Sequence, residues 1–374
     1  IQIEDDVQAE AAFKQILQQF PQSAVARKAG IQLGMLYFNR NDLDQAIASY
    51  KKVISDYPGS DEARVAVQDL KSVYLDKNDI DAYADYVKGL GGNVQFAAGE
   101  QDSLTYLAAE KLYFKGNLPE AERSFRRYLQ SFEGGGAFGL NAHYYLGTIY
   151  FSNQDYKQAL PEYEKVLQVS DNKFEEDALA RVAEIYYLQN DYEKALNHFK
   201  MLDIKAQSAD NKLAAKLGII RMSRRLNNNE DVLLAANKLL ENSKLSPELI
   251  AEARYERSMA LKNLNQLDKA AEDWKELSKD TRNVYGAEST YQLGQYYFDS
   301  GKEKEAEKLM LNFIETGTPH QYWMARGFVL LADVYLKLGD SFQAKQYLLN
   351  LRNNYQGEDD IAGMIEDRLS KIKE

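Results

Sequence analysis

Apolar and small side chains recur along this chain on two length scales. Within segments of about a dozen residues they stand three and four positions apart, which is the spacing of one face of an α-helix. The same arrangement returns every 35–40 residues, and each return holds two such segments joined by a short polar turn. Strand-like alternation of Val, Ile and Thr is scarce. The pattern therefore predicts an all-α chain built from repeated pairs of helices.

The most regular unit covers residues 27–60. In its first helix Gly34 is followed three residues later by Tyr37, and in its second helix Ala46 is followed four residues later by Tyr50. A small residue lets two helix backbones approach closely, and the large residue one turn later fills the adjoining space. We therefore expect close contact between the two helices of each unit at the small residues.

Small residues form two columns that repeat this design along the chain. In the first helices the column runs through Gly34, Ala109, Gly147, Ala183, Gly218, Ser258, Gly294 and Ala332, with Lys71 in the one irregular place. In the second helices it runs through Ala46, Ala121, Ala159, Ala195, Ala270, Ala306 and Ala344. One helix pair cannot bury its apolar face alone, so the pairs must stack, and the columns predict a solenoid.

The turns between paired helices share one chemistry. Each joins Asn, Gln or Gly to Asp, at positions 41–42, 78–79, 154–155, 190–191 and 339–340. Asn and Gly tolerate the left-handed conformation that ends the first helix, and Asp caps the free amides of the second. We therefore expect a tight turn at each of these places.

These columns and turns resemble the signature of the tetratricopeptide repeat family, which combines small–aromatic and Ala–aromatic pairs with a terminal proline. The resemblance covers about residues 9–356. It implies an all-α, right-handed α–α superhelix (a tetratricopeptide-repeat solenoid) of about nine helix pairs with a single helix at each end. Because the chain begins inside a repeat, we expect it to be the C-terminal part of a longer array.

The predicted organisation is a single solenoid over residues 1–374. A partial repeat at 9–22 and a terminal helix at 361–372 flank repeats at 27–60, 64–98, 102–136, 140–173, 176–209, 211–247, 251–284, 287–320 and 325–356.

Two units depart from the columns. In the second, Lys71 replaces the small residue and Tyr83 replaces the alanine. In the sixth, Arg221 replaces the aromatic residue, in a slot that normally points between helices, where a buried charge needs a partner. Glycine-rich runs at 89–92 and 134–136 replace the usual linkers. Such places are hinges or changes of curvature, or else they are tolerated decay of the repeat.

Composition and charge argue against several classes of function. The chain is 45% hydrophobic and 28% charged, as folded proteins are, and its net charge is −11. Nucleic acid is disfavoured as a partner, because phosphate contacts require a concentrated basic face. No apolar run approaches the roughly 18–20 residues that span a bilayer. Cysteine is absent, which excludes disulfides and cysteine-ligated zinc and fits a periplasmic as well as a cytosolic location.

No constellation of side chains predicts a reaction. The three histidines, His143, His198 and His320, lie in different repeats or linkers, with no second ligand at metal spacing. Metalloprotease, phosphate-loop and nucleophile-elbow motifs are missing. Acidic pairs stand at helix starts, where carboxylates favour the helix dipole. We predict no enzymatic activity, no catalytic residue, no cofactor and no metal.

Two basic triplets leave an alternative open. They are Arg123, Arg126 and Arg127 on one helix, and Arg221, Arg224 and Arg225 on another. Either triplet receives an acidic peptide or carboxylate, or its guanidinium groups are solvated or paired within the array.

The predicted partner-binding residues form an aromatic stripe on the first helices, which the family resemblance implies line a concave groove. They are Phe38, Tyr106, Tyr113, Tyr144, Phe151, Tyr187, Tyr255, Tyr291 and Phe298. Tyrosine offers a large apolar area with a polar tip, which suits the recognition of peptides. The alternative is that several of these rings pack against the neighbouring repeat and meet no ligand.

The predicted function is a non-enzymatic interaction scaffold that holds a segment of another protein or peptide in this groove. Linkers such as YPGS resemble those of periplasmic and outer-membrane repeat proteins of Gram-negative bacteria, so we expect a cell-envelope location and an envelope complex. One alternative is a spacer or tether that acts through its ends and convex face. Others are a carbohydrate-binding helical protein, since tyrosines also stack on sugars, and a cytoplasmic regulatory module.

Overall fold

The computed structural model describes residues 2–91, 99–132, 135–241 and 244–372, with side chains from residue 5 onward. In these ranges the chain forms twenty α-helices and no strand. A single helix comes first, α1 (Gln2–Gln19), and a single helix comes last, α20 (Ile361–Leu369).

Between them lie nine pairs, each made of a first and a second helix. The first helices are α2 (Ala24–Asn39), α4 (Asp61–Lys77), α6 (Glu100–Phe114), α8 (Gly139–Ser152), α10 (Glu175–Leu188), α12 (Ala209–Arg225), α14 (Pro247–Asn263), α16 (Val284–Asp299) and α18 (Gln321–Lys337). The second helices are α3 (Leu43–Asp56), α5 (Ile80–Leu90), α7 (Leu118–Ser131), α9 (Tyr156–Leu167), α11 (Tyr192–Lys205), α13 (Asn229–Leu240), α15 (Leu267–Leu277), α17 (Glu303–Thr316) and α19 (Ser341–Asn354). The predicted all-α fold of consecutive helix pairs is confirmed.

The helices fall into two compact units, residues 1–178 and 179–374. In unit 1 the first helices also contact each other sideways, α2 with α4 and α4 with α6. In unit 2 the same holds for α12 with α14, α14 with α16, and α16 with α18. Within each unit the first helices therefore form a layer of their own. The single solenoid over residues 1–374 and its repeat boundaries stay a prediction.

The small residues of the first helices lie against large side chains of the second helices. A Cβ added at Gly34 would lie 2.7 Å from the Tyr50 ring, and one added at Gly294 would lie 2.6 Å from the terminal methyl carbon of Met310. Both distances are shorter than any normal carbon–carbon contact, so only hydrogen fits. Tyr50 itself is buried. At Gly34 and Gly294 the column therefore marks the place where the two helices of a pair meet, whereas Gly218 lies against Phe199 of the preceding pair.

The turns have the predicted geometry. Asn41, Asn78, Gln154 and Asn190 adopt left-handed conformations, with φ between 57° and 62°. The aspartate that follows each of them accepts a hydrogen bond from the backbone amide three residues later. Gly339 also has a positive φ, and the next residue, Asp340, caps α19 in the same way.

The irregular positions are accommodated by polar partners. Lys71 donates a hydrogen bond to Glu100 at 2.6 Å across the first-helix layer, and Tyr83 is buried where alanine was expected. Of the two glycine-rich runs, Gly92 and Gly134 lie outside the described residues. No described helix is long and apolar enough to cross a membrane.

Candidate functional site

Four of the predicted tyrosines connect neighbouring first helices by hydrogen bonds. Tyr144 donates to Asp177 at 2.9 Å, and Tyr255 donates to Glu288 at 2.9 Å. The other two hydroxyls accept: Tyr106 accepts from Asn141 at 3.1 Å, and Tyr291 accepts from Arg326 at 2.7 Å. In all four cases the partner lies 33–35 residues further along, at the start of the next first helix. We call these four tyrosines the tyrosine ladder.

The ladder tyrosines lie mostly inside the fold. Tyr106, Tyr255 and Tyr291 are buried, and Tyr144 is half-buried with its ring stacked on Phe174 at a centroid distance of 4.0 Å. Burial raises the pKa of the Tyr144 and Tyr255 hydroxyls above the ordinary value, and the nearby carboxylates add to the effect. The binding role assigned to them stays a prediction, but only a small part of each of the three buried rings is open to a partner.

The other five predicted residues are partly open to solvent. Tyr113, Phe151 and Phe298 lie seven residues after a ladder tyrosine, on the same side of the helix two turns later. Phe38 packs at the edge of the unit 1 core, and Tyr187 is exposed over 39% of its surface. The predicted stripe therefore divides into a buried ladder and a more accessible row.

Unit 1 carries an aromatic surface of which the sequence pattern predicted only a part. It consists of Tyr113, Phe114, Tyr145 and Phe174. Tyr145 lies 4.6 Å from Tyr113, 6.0 Å from Phe114 and 6.1 Å from Phe174, measured between ring centroids. Phe114 is 70% exposed and the other three rings are half-buried. The signal in the sequence was the adjacent aromatic pairs 113–114 and 144–145, of which only the first member of each fell in the stripe.

Charged groups border this aromatic surface on two sides. Burial raises the pKa of Tyr113, and the nearby Asp177 carboxylate adds to it. On the other side, the Lys173 ammonium lies 4.6 Å from the Phe174 ring centroid, within the range of a cation–π interaction. The surface therefore combines an apolar centre with charges of both signs at its border, as protein-binding surfaces do.

Unit 2 presents charged side chains in the corresponding layer. Arg221 donates two hydrogen bonds to Glu252, at 3.0 Å and 3.2 Å, and Arg224 pairs with Glu256. The expectation that Arg221 occupies a buried slot is wrong, because its side chain is 55% exposed. Lacking a ring to place between helices, α12 turns this residue outward, where it reaches the carboxylate of α14.

Three of the four remaining members of the basic triplets also have partners within the array. Arg225 lies 5.0 Å from the centre of the Tyr192 ring. Arg126 donates to the Tyr150 hydroxyl at 2.7 Å and pairs with Glu122. Arg123 pairs with Glu120, and Arg127 is exposed. These partners favour a role within the array for most of the guanidinium groups.

Two carboxyl groups of unit 2 lie inside the fold. Glu256 is buried, and Glu288 is half-buried, where it accepts the Tyr255 hydrogen bond. Burial raises the pKa of both carboxyls, and the hydrogen bonds and cations beside them offset this only in part. In the pH interval above their ordinary pKa of 4.5 the folded unit therefore binds more protons than the unfolded chain.

We expect Glu288→Gln to change the pH dependence of stability. The pKa of Glu288 is higher in the folded than in the unfolded chain. Deprotonation of this carboxyl therefore lowers the free energy of unfolding as pH rises from 4.5 through the folded pKa, and this loss is reversed as pH falls back toward 4.5. The amide oxygen of Gln still accepts from Tyr255 and carries no charge. The variant should be more stable than the wild type near neutral pH, and its free energy of unfolding should depend less on pH. Urea unfolding from about pH 5 to about pH 7.5 measures both effects.

The matched control is Glu305→Gln, an exposed carboxyl on α17 of the same unit. The free energy of unfolding of this variant should depend on pH as that of the wild type does. Equal slopes for the wild type and the Glu288→Gln variant would contradict the assignment.

Each of the three histidines has a different neighbour in the structure. His143 contacts Glu162 at 2.6 Å, His198 lies against the carbonyl of Lys194, and His320 lies against the carbonyl of Arg282. Among the described residues, no three His, Asp or Glu side chains are grouped so as to hold a metal ion.

Sequence comparison identifies the repeat. The tetratricopeptide repeat pattern matches residues 140–202, and a second pattern of the same name matches residues 29–60 and 327–357. No curated protein matches the chain.

Solved structures with a similar arrangement include three proteins of low identity. A tetratricopeptide repeat protein from Parabacteroides merdae is 18% identical, with 72% of this chain and 98% of that chain covered and a TM-score of 0.36. Pseudomonas aeruginosa pilF is 18% identical, with 60% and 94% covered and a TM-score of 0.33. PilW, a widely conserved type IV pilus biogenesis factor, is 17% identical, with 61% and 97% covered and a TM-score of 0.32.

The repeat assignment rests on the three matched segments and on the helix pairs in which they lie. Residues 29–60 coincide with the α2–α3 pair, 140–202 with α8 to α11, and 327–357 with the α18–α19 pair. The chain carries tetratricopeptide repeats in these segments.

Proposed function

We propose that the protein is a non-catalytic scaffold that holds a segment of another protein against the first-helix layer of unit 1. Tetratricopeptide repeats are protein-interaction repeats, and the predicted concave groove is the side formed by the first helices. The observation that carries the proposal is the aromatic surface of Tyr113, Phe114, Tyr145 and Phe174. A cluster of four large rings that stays partly open to solvent is unusual on a folded chain unless a partner covers it.

The chemistry of this surface suits a polypeptide partner. The rings are held in place by contacts with each other and with the buried Phe125, which stacks on Tyr145 at 5.5 Å. Binding therefore costs little side-chain entropy, which is what makes aromatic residues strong contributors at protein interfaces.

We expect the double variant Tyr113→Ser, Phe114→Ser to lose its partner. The test is recovery of bound protein from an extract of the source cells on immobilised chain, with each partner quantified by mass spectrometry. Removing two central rings should reduce recovery by roughly tenfold or more. The ladder residues are unsuitable for this test, because Tyr144→Ala or Tyr291→Ala would also break contacts between repeats.

The matched control is Phe342→Ser. Phe342 is 68% exposed on α19, a second helix, so this variant removes a similarly exposed ring that lies outside the first-helix layer. Undiminished recovery with the double variant would refute the proposal. If Phe342→Ser alone abolished recovery, the tether alternative would hold, which the exposed Phe342 and Ile204 on second helices favour.

The location in the cell envelope belongs to the same proposal. It is supported by the resemblance of linkers such as YPGS to those of envelope repeat proteins. Fractionation of the source cells, with the protein detected by antibody, should find it outside the cytosol. Recovery in the cytosolic fraction would favour the regulatory alternative.

A further inference from the structure

Unit 2 contains a pocket of about 220 Å³ between the start of α18 and the end of α19. It is lined by Thr318, Gln321, Met324, Ala325, Phe328, Asn350, Leu351, Asn354 and Tyr355. We call it the edge pocket. It lies on a different side of α18 from Trp323 and Arg326, which face Tyr291 of α16. The edge pocket is thus separate from the contact between α16 and α18.

The inner part of the edge pocket is apolar. Ala325 and Leu351 are buried, and Met324 and Phe328 are half-buried. A volume of about 220 Å³ is smaller than the roughly 300–1,000 Å³ of pockets that enclose drug-sized ligands. Its size and lining suit one apolar side chain.

The rim of the edge pocket is polar and uncharged. The Asn354 side-chain amide donates to the Asn350 backbone carbonyl at 2.8 Å and to Asn350 Oδ1 at 3.0 Å. The Asn354 Oδ1 acceptor stays open, and in the described part of the chain neither the Asn350 Nδ2 donor nor the Gln321 amide makes a hydrogen bond. All three rim residues are exposed.

Open donors and acceptors of this kind match a peptide backbone. A peptide group offers one N–H donor and one C=O acceptor, and side-chain amides pair with both. None of the nine lining residues is charged, and the nearest charged group at Tyr355 is the Asp359 carboxylate that accepts from its hydroxyl, so an anionic ligand would find no cation there. We propose that the edge pocket binds one apolar side chain of a polypeptide together with the peptide groups on either side of it. The proposal stands apart from the function assigned to the aromatic surface.

The experiment uses the full chain and three small probes, followed by the ¹⁵N side-chain amide signals of Asn350, Asn354 and Gln321. N-acetyl-leucine-N-methylamide carries the side chain and both peptide groups. N-acetyl-glycine-N-methylamide keeps the peptide groups only, and N-acetyl-glutamate-N-methylamide replaces the apolar side chain by a charged one. We expect saturable shifts with the leucine probe and at least tenfold weaker binding of the other two.

A blocking variant tests the location. Asn354→Arg places a long charged side chain on the rim at an exposed position, and it should weaken the leucine probe at least tenfold. Gln346→Arg, exposed on the same helix and outside the lining, should bind as the wild type does. Absence of saturation with the leucine probe, equal binding of the glycine probe, or unchanged binding by Asn354→Arg would each overturn the proposal. None of these measurements involves Phe114, so their outcome does not bear on the test of the proposed scaffold function.

Discussion

Trp274→Ala is expected to lower the free energy of unfolding of unit 2 by about 3 kcal/mol, near the low end of the range for removing a buried tryptophan. Trp274 is only 1% exposed and packs against Leu261, Ala270 and Leu293. Truncation leaves a cavity that the rigid helix pairs around it cannot close. The expected loss in free energy of unfolding is near the low end of that range because Trp274 Nε1 is buried without a hydrogen-bond partner in the described chain. The variant therefore also removes an unfavourable group.

Trp274→Phe separates the two contributions. It keeps most of the ring and removes the unpaired N–H, so it should cost less than about 2 kcal/mol. Urea unfolding followed by far-ultraviolet circular dichroism measures both variants, with the two units allowed separate transitions. A loss for Trp274→Phe as large as for Trp274→Ala would show that ring packing is not what stabilises this site.

Gly286→Ala is expected to destabilise unit 2 by about 3 kcal/mol or more, beyond the usual cost of one extra methyl group in a packed core. A Cβ at this position would lie 1.9 Å from the carbonyl oxygen of Asp280 and 2.8 Å from that of Leu277. Both atoms are backbone, so the linker between α15 and α16 would have to move as a whole. The same residue donates its amide to the Asn283 cap at 2.8 Å, and this bond would be strained too.

The control for Gly286→Ala is Gly363→Ala in α20 of the same unit. Gly363 is exposed, and an added Cβ would meet nothing within 4 Å. Alanine there should stabilise the protein by about 0.5–1 kcal/mol, because it restricts the unfolded chain and favours the helix. Comparable destabilisation by both substitutions would contradict the clash as the cause.

Much of the fold was predictable because its determinants are local in sequence. The columns through Gly34 and Ala46, and turns such as Asn41-Asp42, depend on helix periodicity and on the conformational preferences of single residues. Both patterns recur in successive repeats, so the neighbouring units show whether a match in one unit is a coincidence. For that reason the number of helix pairs and five of the turns between paired helices could be derived without coordinates.

The candidate site was predictable only in part. Periodicity placed Tyr106 and Tyr113 on one side of α6, but it could not tell that the first is buried against Phe138, at 4.5 Å, while the second borders an open surface. Phe174 stands in a linker and has no place in any column. Its contact with Tyr144 and Tyr145 depends on how α8 meets the next repeat.

The sequence by itself determined the all-α class, the helix pairs and the residues at which the helices of a pair approach. Tertiary structure decided which aromatic rings remain open, that Arg221 turns outward to Glu252, and that uncharged amides surround the edge pocket. The physical reason is the range of the interactions. A helix and its turns depend on residues within a few positions, whereas exposure depends on a neighbouring repeat some 33–35 residues away.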